Sequence, residues 1–365
     1  MRMIRLLTAL AVACAFLTIP QAAAQSLAPC PGPTPLGIGK PEDIVAGVGT
    51  PNNQVFWVAQ DRHSPAKAAI QFDTTPALAR PTPHLLLIGV RPDGRSYALN
   101  VPTVYRTSAS PAAIRSPIAS VAWVPDQRVY RMTVDVPGYF AADLRWRGHP
   151  GGAMRPATWD REQVTWSQSL GTATVDGWIS FPAVSPVAGL EPPTLPGPGV
   201  LSPVRVEGWA GEQETMSGDW RMSPSVSDGV PVFNPLAPPT HIGYDYALSS
   251  NPDGSGDIIF TFPQLCGKTS GLLAHTTATG EVTVCEPTVR LSDWHPTSTG
   301  YRTWSTMTGE CGGRSLTYRA QNALPVTYTR VQGWDVADGA VVSDVPGSTG
   351  VFQHLRQFPF YDRDI

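Results

Sequence analysis

Lysine is almost absent from this chain of 365 residues, which contains only Lys40, Lys67 and Lys268. No run of basic residues occurs anywhere along the sequence. With the first 24 residues set aside, 24 basic side chains stand against 29 acidic ones, a net charge of −5. Nucleic acids and anionic membranes are bound through basic surfaces. We therefore expect neither of them as a partner.

Long apolar segments are also absent after the amino terminus. The apolar run from Leu6 to Ile19 is about 14 residues long, whereas a transmembrane helix needs roughly 20. It follows Arg2 and Arg5 and precedes Ala22-Ala23-Ala24, an order typical of a cleaved secretory signal. The sequence thus predicts a signal peptide over residues 1–24, no transmembrane segment, and a mature protein that is secreted or periplasmic.

Cysteine is scarce, and metal-binding spacings are missing. Four cysteines follow the signal, Cys30, Cys266, Cys285 and Cys311, an even number that favours two disulfides in an oxidising compartment. Three pairings are possible. We favour Cys266 with Cys285, because both lie in strand-like runs about 18 residues apart, and this leaves Cys30 for Cys311. No two cysteines have zinc-like spacing and the histidines do not cluster, so we predict no metal site.

Several catalytic fingerprints are missing as well. The chain has no Gly-x-Ser-x-Gly elbow of a serine hydrolase. It also lacks the glycine-rich loops that hold phosphates or dinucleotides. The sequence therefore predicts no cofactor.

Amphipathic helical patterns longer than two turns are not found, and the chain contains 38 prolines and 34 glycines. Short helices are possible at Pro111 to Arg115 and at Pro156 to Gln163. Elsewhere, short runs of alternating or β-branched residues separated by turn signals predict antiparallel strands. The predicted strands include Gln54 to Gln60, His84 to Val90, Ser96 to Val104, Ile118 to Val124, Val129 to Val136, Ala141 to Trp146, His241 to Ser249, Asp257 to Pro263, Gly271 to Thr277, Glu281 to Cys285, Thr288 to Ser292, Gly300 to Met307, Ser315 to Ala320, Thr327 to Gly333 and Gly350 to Gln357.

Two proline-rich stretches divide the strands. Pro182 to Pro203 predicts an extended, exposed connection. Pro231 to Pro239 precedes a new set of strands, so we place a domain boundary near residue 235. About 340 mature residues are too many for one compact core. The sequence therefore predicts an all-β protein with two consecutive domains, residues 25–234 and 235–365, each a barrel or sandwich.

Short motifs follow one another in an order that resembles a known family. They are Phe56-Trp57, Ala142-Asp143-Leu144-Arg145-Trp146, Val175-Asp176-Gly177, Gly208-Trp209-Ala210-Gly211-Glu212-Gln213 and Gly243-Tyr244-Asp245-Tyr246. This order is similar to that of the lipocalin-like tandem-barrel family, which includes carotenoid 1,2-hydratase (hydroxyneurosporene synthase), the AttH proteins, kievitone hydratase and fungal Diels–Alder cyclases. The resemblance implies two consecutive lipocalin-like antiparallel β-barrels with few short helices.

The resemblance also implies an activity. Enzymes of this kind use acid–base chemistry without a cofactor on a terpenoid, a polyene or a prenylated aromatic compound, by hydration, isomerisation or cyclisation. Where the family motif has Asp-His, this chain has Gly211-Glu212, and a glutamate at position 212 can still act as an acid. An exported enzyme acting on a hydrophobic small molecule is the function that we expect.

Acidic residues stand among aromatic ones between Trp209 and Tyr246. A carboxyl group held against aromatic rings keeps its proton at higher pH, and the rings can stabilise a carbocation. We predict Glu212 as the proton donor, with Asp245 or Asp219 as its partner; Glu214 is a further candidate acid. The predicted substrate-binding residues are Trp209, Trp220, Tyr244, Tyr246, Gln213 and His241.

The facing of these side chains stays open at the level of sequence. In a strand, Tyr244 and Tyr246 share one face and Asp245 takes the other, so only one set can line a given pocket. Two other functions also stay open. One is a non-catalytic lipocalin-type carrier of an apolar ligand, and the other is a secreted carbohydrate-active lyase or glycosidase on a β-sandwich, which would need a pair of carboxylates.

Overall fold

Two large antiparallel sheets make up the fold in a computed structural model of the chain. The structure describes residues 36–48, 52–75, 83–159, 162–182, 202–219, 225–227, 230–232, 243–263, 269–296, 302–321, 327–331 and 334–357. Within these ranges the only helical elements are the four-residue helix α1 (Asp43–Ala46) and a 3-10 turn at Pro125–Gln127. No helix in the described ranges is long and apolar enough to cross a membrane.

The first sheet is built mainly from the strands that precede residue 220. Its strands are β1 (Leu36–Ile38), β2 (Asn52–Gln60), β3 (Lys67–Thr75), β4 (His84–Val90), β5 (Ser96–Pro102), β6 (Arg106–Ala109), β7 (Ala112–Arg115), β8 (Ala119–Val124), β9 (Val129–Val136), β10 (Phe140–His149), β11 (Gly152–Trp159), β12 (Glu162–Ser180) and β13 (Pro203–Asp219). Their order is β5-β4-β3-β2-β13-β12-β10-β9-β8-β7-β6, with β11 paired to β12 and β1 to β11. A separate hairpin joins β14 (Ser225–Ser227) to β15 (Val230–Val232).

The second sheet follows the same plan. Its strands are β16 (Gly243–Ser250), β17 (Gly256–Pro263), β18 (Thr269–Thr276), β19 (Val282–Cys285), β20 (Thr288–Ser292), β23 (Thr306–Cys311), β24 (Arg314–Ala320), β25 (Thr327–Val331), β26 (Trp334–Ser343) and β27 (Thr349–Gln357). Their order is β19-β18-β17-β16-β27-β26-β24-β23-β20, with β25 paired to β26. The short strands β21 (His295–Pro296) and β22 (Arg302–Thr303) pair with each other.

Each sheet curls so that its two edge strands are neighbours along the chain. In the first sheet the edges β5 and β6 are separated by residues 103–105 only. In the second sheet the edges β19 and β20 are separated by residues 286–287. This confirms the predicted all-β class with two lipocalin-like antiparallel sheets. The predicted domain boundary at residue 235 lies outside the described residues, as does most of the predicted connection from Pro182 to Pro203.

Burial differs between outer and central strands, and the difference locates the core. In β9 buried and exposed residues alternate after Tyr130, as expected of a strand with one face on a core and one in water. In β16 and β17 every residue is buried. The central strands of the second sheet are therefore covered on both faces.

Three apolar clusters account for this burial. The first fills the curl of the first sheet and includes Trp57, Tyr130 and Trp146, and another fills the curl of the second sheet around Trp304 and Phe352. The remaining one, here called the inter-sheet cluster, lies between the two sheets. Its buried members are Val58, Ala69, Met154, Trp166, Met216, Tyr244, Tyr246, Leu248, Ile258, Phe260, Phe262, Leu272, Ala274, Val351 and Leu355.

The strand predictions succeed where alternation is clear. The strands His84–Val90, Val129–Val136 and Thr288–Ser292 are observed with the predicted bounds. The predicted strand from Gly300 to Met307 is wrong, because the described chain there forms the two-residue β22 and a new strand that begins at Thr306. The list of predicted strands also leaves out β12 and β13, which are the longest in the described chain.

Both suggested short helices are wrong. Ala112–Arg115 is strand β7, whose first three residues are buried and which pairs with β6 and β8. The segment from Pro156 to Gln163 includes the end of β11 and the start of β12, which pair with each other. Pairing with neighbouring strands outweighs the weak local preference of such short segments.

The favoured disulfide pairing is also wrong. Cys285 is bonded to Cys311, with the two Cα atoms 6.3 Å apart. Cys285 ends β19 and Cys311 ends β23, which is the neighbour of β20. Curling of the second sheet brings these strands together. This is a long-range effect that the spacing of cysteines along the chain does not predict. Cys30 and Cys266 lie outside the described residues.

Loss of this disulfide should destabilise the second sheet. We expect Cys285→Ser to lower the free energy of unfolding by about 3 kcal/mol, because the bond closes a loop between residues 285 and 311 in the unfolded chain. Chemical denaturation measures the change, with Thr283→Ala, at an exposed position on the same strand, as the control. Non-reducing peptide mapping should recover a peptide pair that links Cys285 to Cys311; a pair that links Cys266 to Cys285 would contradict the assignment.

Candidate functional site

Strand β13 places carboxylates on the surface that the first sheet turns toward the second. Its alternate residues Glu212, Glu214 and Met216 pair with Val58, Phe56 and Gln54 of β2. Val58, Phe56 and Met216 contact the inter-sheet cluster, so the two glutamates share that face. The intervening Gln213 pairs with Trp57, which belongs to the core of the first sheet. Alternation along one strand therefore separates two glutamates from the glutamine between them.

Strand β16 supplies the opposite wall from the second sheet. Tyr244 and Tyr246 belong to the inter-sheet cluster, and Phe260 of β17 stands directly opposite Tyr246. Asp245 points to the other face, where its neighbour Ala247 belongs to the core of the second sheet. The structure thus decides the facing that the sequence leaves open: the two tyrosines, and not Asp245, face the first sheet.

A cavity opens between these walls. It comprises about 320 Å³ of space not filled by atoms, part of it open to solvent. About 20 Å³ is free to the centre of a water molecule, which corresponds to one or two waters. A larger ligand enters only if the lining side chains move. The lining residues are Gln54, Phe56, Gln71, Trp166, Glu214, Met216, Tyr244, Tyr246, Phe260 and Gln353.

Four of the aromatic rings around the cavity have nearly parallel planes. Trp166 stacks on Phe260 with ring centroids 4.7 Å apart and an angle of 23° between planes. Tyr244 and Tyr246 lie 6.2 Å apart at 13°, and each makes an angle of 21° or less with Phe260. The faces of aromatic rings carry the negative part of their quadrupole. This wall can therefore stabilise positive charge without supplying a nucleophile.

Glu212 is a buried acid. The residue is only 5% exposed, and its Oε1 atom has no hydrogen-bond partner within the described chain. Burial raises the pKa of the Glu212 carboxyl well above its ordinary value, and the charge of Glu214 raises it further, while Lys67 opposes the shift. These influences favour the protonated form of Glu212 at neutral pH.

Glu214 differs from Glu212 in two ways: it accepts a hydrogen bond from a side chain, and it lines the cavity. The indole Nε1–H of Trp166 donates a hydrogen bond of 3.2 Å to Glu214 Oε2. Glu214 also lines the cavity, whereas Glu212 is not among its lining residues. The two Cα atoms are about 7 Å apart along the strand. The site thus contains two carboxyl groups on one strand face. Glu212 is the one that holds the proton, because it is buried and lies beside the charge of Glu214.

Asp245 lies in a separate buried cluster inside the second sheet. Its Oδ1 atom accepts hydrogen bonds from Trp304 Nε1 (2.9 Å) and His354 Nδ1 (2.6 Å), and Arg356 Nη2 lies 2.8 Å from its Oδ2. Burial alone would raise the pKa of the Asp245 carboxyl, but the positive charge of Arg356 and the contact with His354 outweigh it and hold the pKa below its ordinary value. Asp245 is therefore an ionised partner of Arg356, on the face of β16 that points away from the cavity.

Two other predicted residues lie in the core of the first sheet. Trp209 belongs to that core and not to the cavity lining. Gln213 Oε1 accepts hydrogen bonds from the Ser169 backbone N–H (2.9 Å) and hydroxyl (2.5 Å), and its Nε2 donates to Thr215 Oγ1 (2.7 Å). With its amide engaged on both sides, Gln213 links β12 and β13.

The remaining predicted residues lie at or beyond the end of β13. Asp219 is the last residue of that strand, where its backbone pairs with Gln163. Its side chain is outside the described part of the structure, and so are Trp220 and His241. Their roles stay predictions from the sequence.

Sequence reasoning missed seven of the ten residues that line the cavity. The missed residues, which come from six strands, are Gln54, Phe56, Gln71, Trp166, Met216, Phe260 and Gln353. One signal was available for two of them: Gln54 and Phe56 alternate along a predicted strand that also carries the Phe56-Trp57 motif. For Trp166 and Gln353 the deciding fact is strand order, which no local pattern contains.

The arrangement of two curled sheets packed through an aromatic cluster is a tandem lipocalin-like fold. No protein-family model matches the chain, and no curated protein matches its sequence. Solved structures do match. An AttH-like protein from Nitrosomonas europaea aligns with a TM-score of 0.56 at 13% identity, over 90% of this chain and 99% of that one.

CghA, in a structure with Sch210972, aligns with a TM-score of 0.56 at 11% identity, over 92% of this chain and 97% of that one. Kievitone hydratase from Nectria haematococca aligns with a TM-score of 0.46 at 6% identity, over 90% and 98%. The first two matches confirm the fold that the motif order implied, since they extend over almost the whole length of both chains.

Removal of the buried acid should change stability in a pH-dependent way. Between the pKa of an unfolded glutamate and the raised pKa of Glu212, the folded state holds more protons, so rising pH costs stability. We expect Glu212→Gln to be more stable than the wild type at pH 8, with the difference shrinking toward pH 4.5. Urea denaturation across this range measures it. Glu207→Gln, exposed on the same strand, is the control, and equal shifts in both variants would contradict the assignment.

His354 should make the fold sensitive to acid. Burial, followed by the charge of Arg356, lowers the pKa of His354 to about 4. Between pH 6.5 and pH 4 the unfolded state therefore holds more protons, and acidification should cost about 3 kcal/mol of unfolding free energy. His354→Gln should be less stable than the wild type at pH 7, but its free energy of unfolding should fall less on acidification. His63→Gln, at an exposed site, should behave as the wild type. Parallel curves for all three proteins would refute this expectation.

Proposed function

We propose that this protein is an exported enzyme that uses acid–base chemistry, without a cofactor, to hydrate, isomerise or cyclise a hydrophobic small molecule. The observation that carries the proposal is the cavity in which the Glu214 carboxylate meets parallel aromatic rings, with the buried acid Glu212 two residues away on the same strand face. CghA, which shares the fold, has been crystallised with Sch210972, and this supports a small-molecule site on such a scaffold.

Glu212 acts as the proton reservoir. A carboxyl group that stays protonated near neutral pH can supply a proton to an alkene. Glu212 does not line the cavity, so its proton reaches the ligand by way of Glu214. The lost hydration and the neighbouring charge of Glu214 both favour the protonated form before reaction. Protonation of the ligand leaves both carboxylates charged, and this repulsion is relieved when Glu214 takes up a proton again, so the two groups act as a pair.

Glu214 is the member of the pair that touches the ligand. Its carboxylate faces the cavity and is held by the indole of Trp166. There it can take a proton from an attacking water in a hydration, or from a carbon next to the cationic centre in an isomerisation or cyclisation. Glu214, and not Asp245, is thus the proposed partner of Glu212, because Asp245 is paired with Arg356 on the far side of its strand.

The rings supply the apolar part of the site. Tyr244, Tyr246, Phe260 and Trp166 present faces that stabilise a developing cation and exclude water from it. Packing of the two sheets positions them, since Trp166 comes from the first sheet and the other three come from the second. Entry of a substrate larger than a water molecule requires these two walls to separate.

We also propose that the enzyme works after export. Support comes from the charge and apolar pattern of residues 1–24, which lie outside the described part of the structure, and from the Cys285–Cys311 disulfide. Disulfides persist in oxidising compartments and are rare in a reducing cytosol.

The decisive experiment compares the wild type with Glu212→Gln and Glu214→Gln in an apolar extract of the source cells, analysed by mass spectrometry before and after incubation. The wild type should convert a compound by the mass of one water or to an isomer. Each variant should lower the rate by at least about 100-fold, because a positioned acid or base contributes this much. Glu207→Gln should keep full activity. Retention of one unchanged compound by all four proteins would instead identify a carrier.

A further inference from the structure

Three glutamine side chains line a cavity that is otherwise mainly aromatic. They are Gln54 of β2, Gln71 of β3 and Gln353 of β27. A pure hydrocarbon in this cavity would remove water from the amide groups without replacing its hydrogen bonds, which is unfavourable. The lining therefore suits a molecule that carries polar hydrogen-bonding groups on an apolar skeleton.

The orientation of Gln71 is fixed by a buried carboxylate. Gln71 Nε2 donates a hydrogen bond of 2.7 Å to Asp73 Oδ1. The other oxygen of Asp73 lies 2.5 Å from His84 Nε2, and the side chains of Asp73 and His84 are each only 6% exposed. Because a carboxylate accepts hydrogen bonds and does not donate them, the amide nitrogen of Gln71 must face it. The carbonyl oxygen of Gln71 is then the group left for the cavity.

That carbonyl is an acceptor with no partner among the described residues. The hydrogen bond to Asp73 is the one polar contact of the Gln71 side chain within the described chain. Gln353 is oriented in a similar way, since its Oε1 atom accepts a hydrogen bond from the hydroxyl of Tyr244. Near-parallel ring planes add a further constraint, because a flat ligand that lies parallel to one ring lies parallel to all four.

We propose that Gln71, held in place by Asp73, is a specificity-determining residue whose carbonyl oxygen accepts a hydrogen bond from the ligand. The ligand class is a flat conjugated or aromatic molecule that carries an O–H or N–H donor. This inference extends the proposed function. It rests on the proposed function only in assuming that the ligand binds in the cavity. Asp73 is a positioning residue, because it acts on the ligand only through Gln71.

Two small probes of equal shape test the inference. Indole and benzofuran are flat bicyclic molecules of the same size, but only indole has an N–H donor. Their dissociation constants are measured by calorimetry with the full mature wild-type protein and with Gln71→Met, which keeps the length of the side chain and removes the acceptor. The control is Gln60→Met, on the same face of β2 but outside the cavity lining.

The wild type should prefer indole, and Gln71→Met should weaken indole binding about fivefold while it changes benzofuran binding less than twofold, as expected for one neutral hydrogen bond. Asp73→Asn should lower the preference for indole without abolishing it, because an asparagine allows both orientations of the Gln71 amide. Gln60→Met should leave both dissociation constants unchanged.

Equal weakening of both probes in Gln71→Met would overturn the inference, since that is the result of a merely structural role. Failure of indole to bind the wild type would overturn it too. The conversion assay with Glu212→Gln does not depend on Gln71, so loss of the indole preference with conversion intact would remove this inference and leave the proposed function standing. Absence of conversion together with a normal indole preference would contradict the proposed enzymatic activity and support a selective binding site without catalysis.

Discussion

Burial of both faces of the central strands is the constraint on which the rest of the structure depends. Each sheet curls around its own apolar cluster and also packs against the other sheet. A strand in that position has no solvent side, so its alternate residues enter two different apolar environments. In β16 the tyrosines enter the inter-sheet cluster while Asp245 enters the core of the second sheet. Every polar group on such a strand must then find a partner or serve a function.

The buried acidic residues meet this requirement in different ways. Asp245 is neutralised by Arg356 and held by Trp304 and His354, an arrangement that stabilises the fold and leaves the carboxylate no chemical task. Glu212 has no comparable cation in contact and an oxygen without a hydrogen-bond partner in the described chain. A buried carboxyl group without such partners lowers the stability of the fold. Groups that transfer protons in active sites are commonly found in environments of this kind.

Much of the fold follows from the sequence. Alternation and turn residues predict the bounds of several strands as they are observed, as in Val129–Val136. One face of such a strand meets water, so polar and apolar residues alternate in the sequence. The order of short motifs gives the tandem lipocalin-like architecture. The same reasoning fails for the disulfide and for the two suggested helices, since both outcomes depend on which strands become neighbours when a sheet curls.

For the candidate site, the sequence by itself determined that carboxylates and aromatic rings occur together on β13 and β16, and that Tyr244 and Tyr246 must share a face. Only the tertiary structure decided that this face meets Glu214, that Asp245 belongs elsewhere, and that Trp166, Gln71 and Gln353 complete the cavity. The physical reason is that periodicity fixes which residues are on the same side of a strand, whereas the choice between two buried sides is made by the packing of one sheet on another.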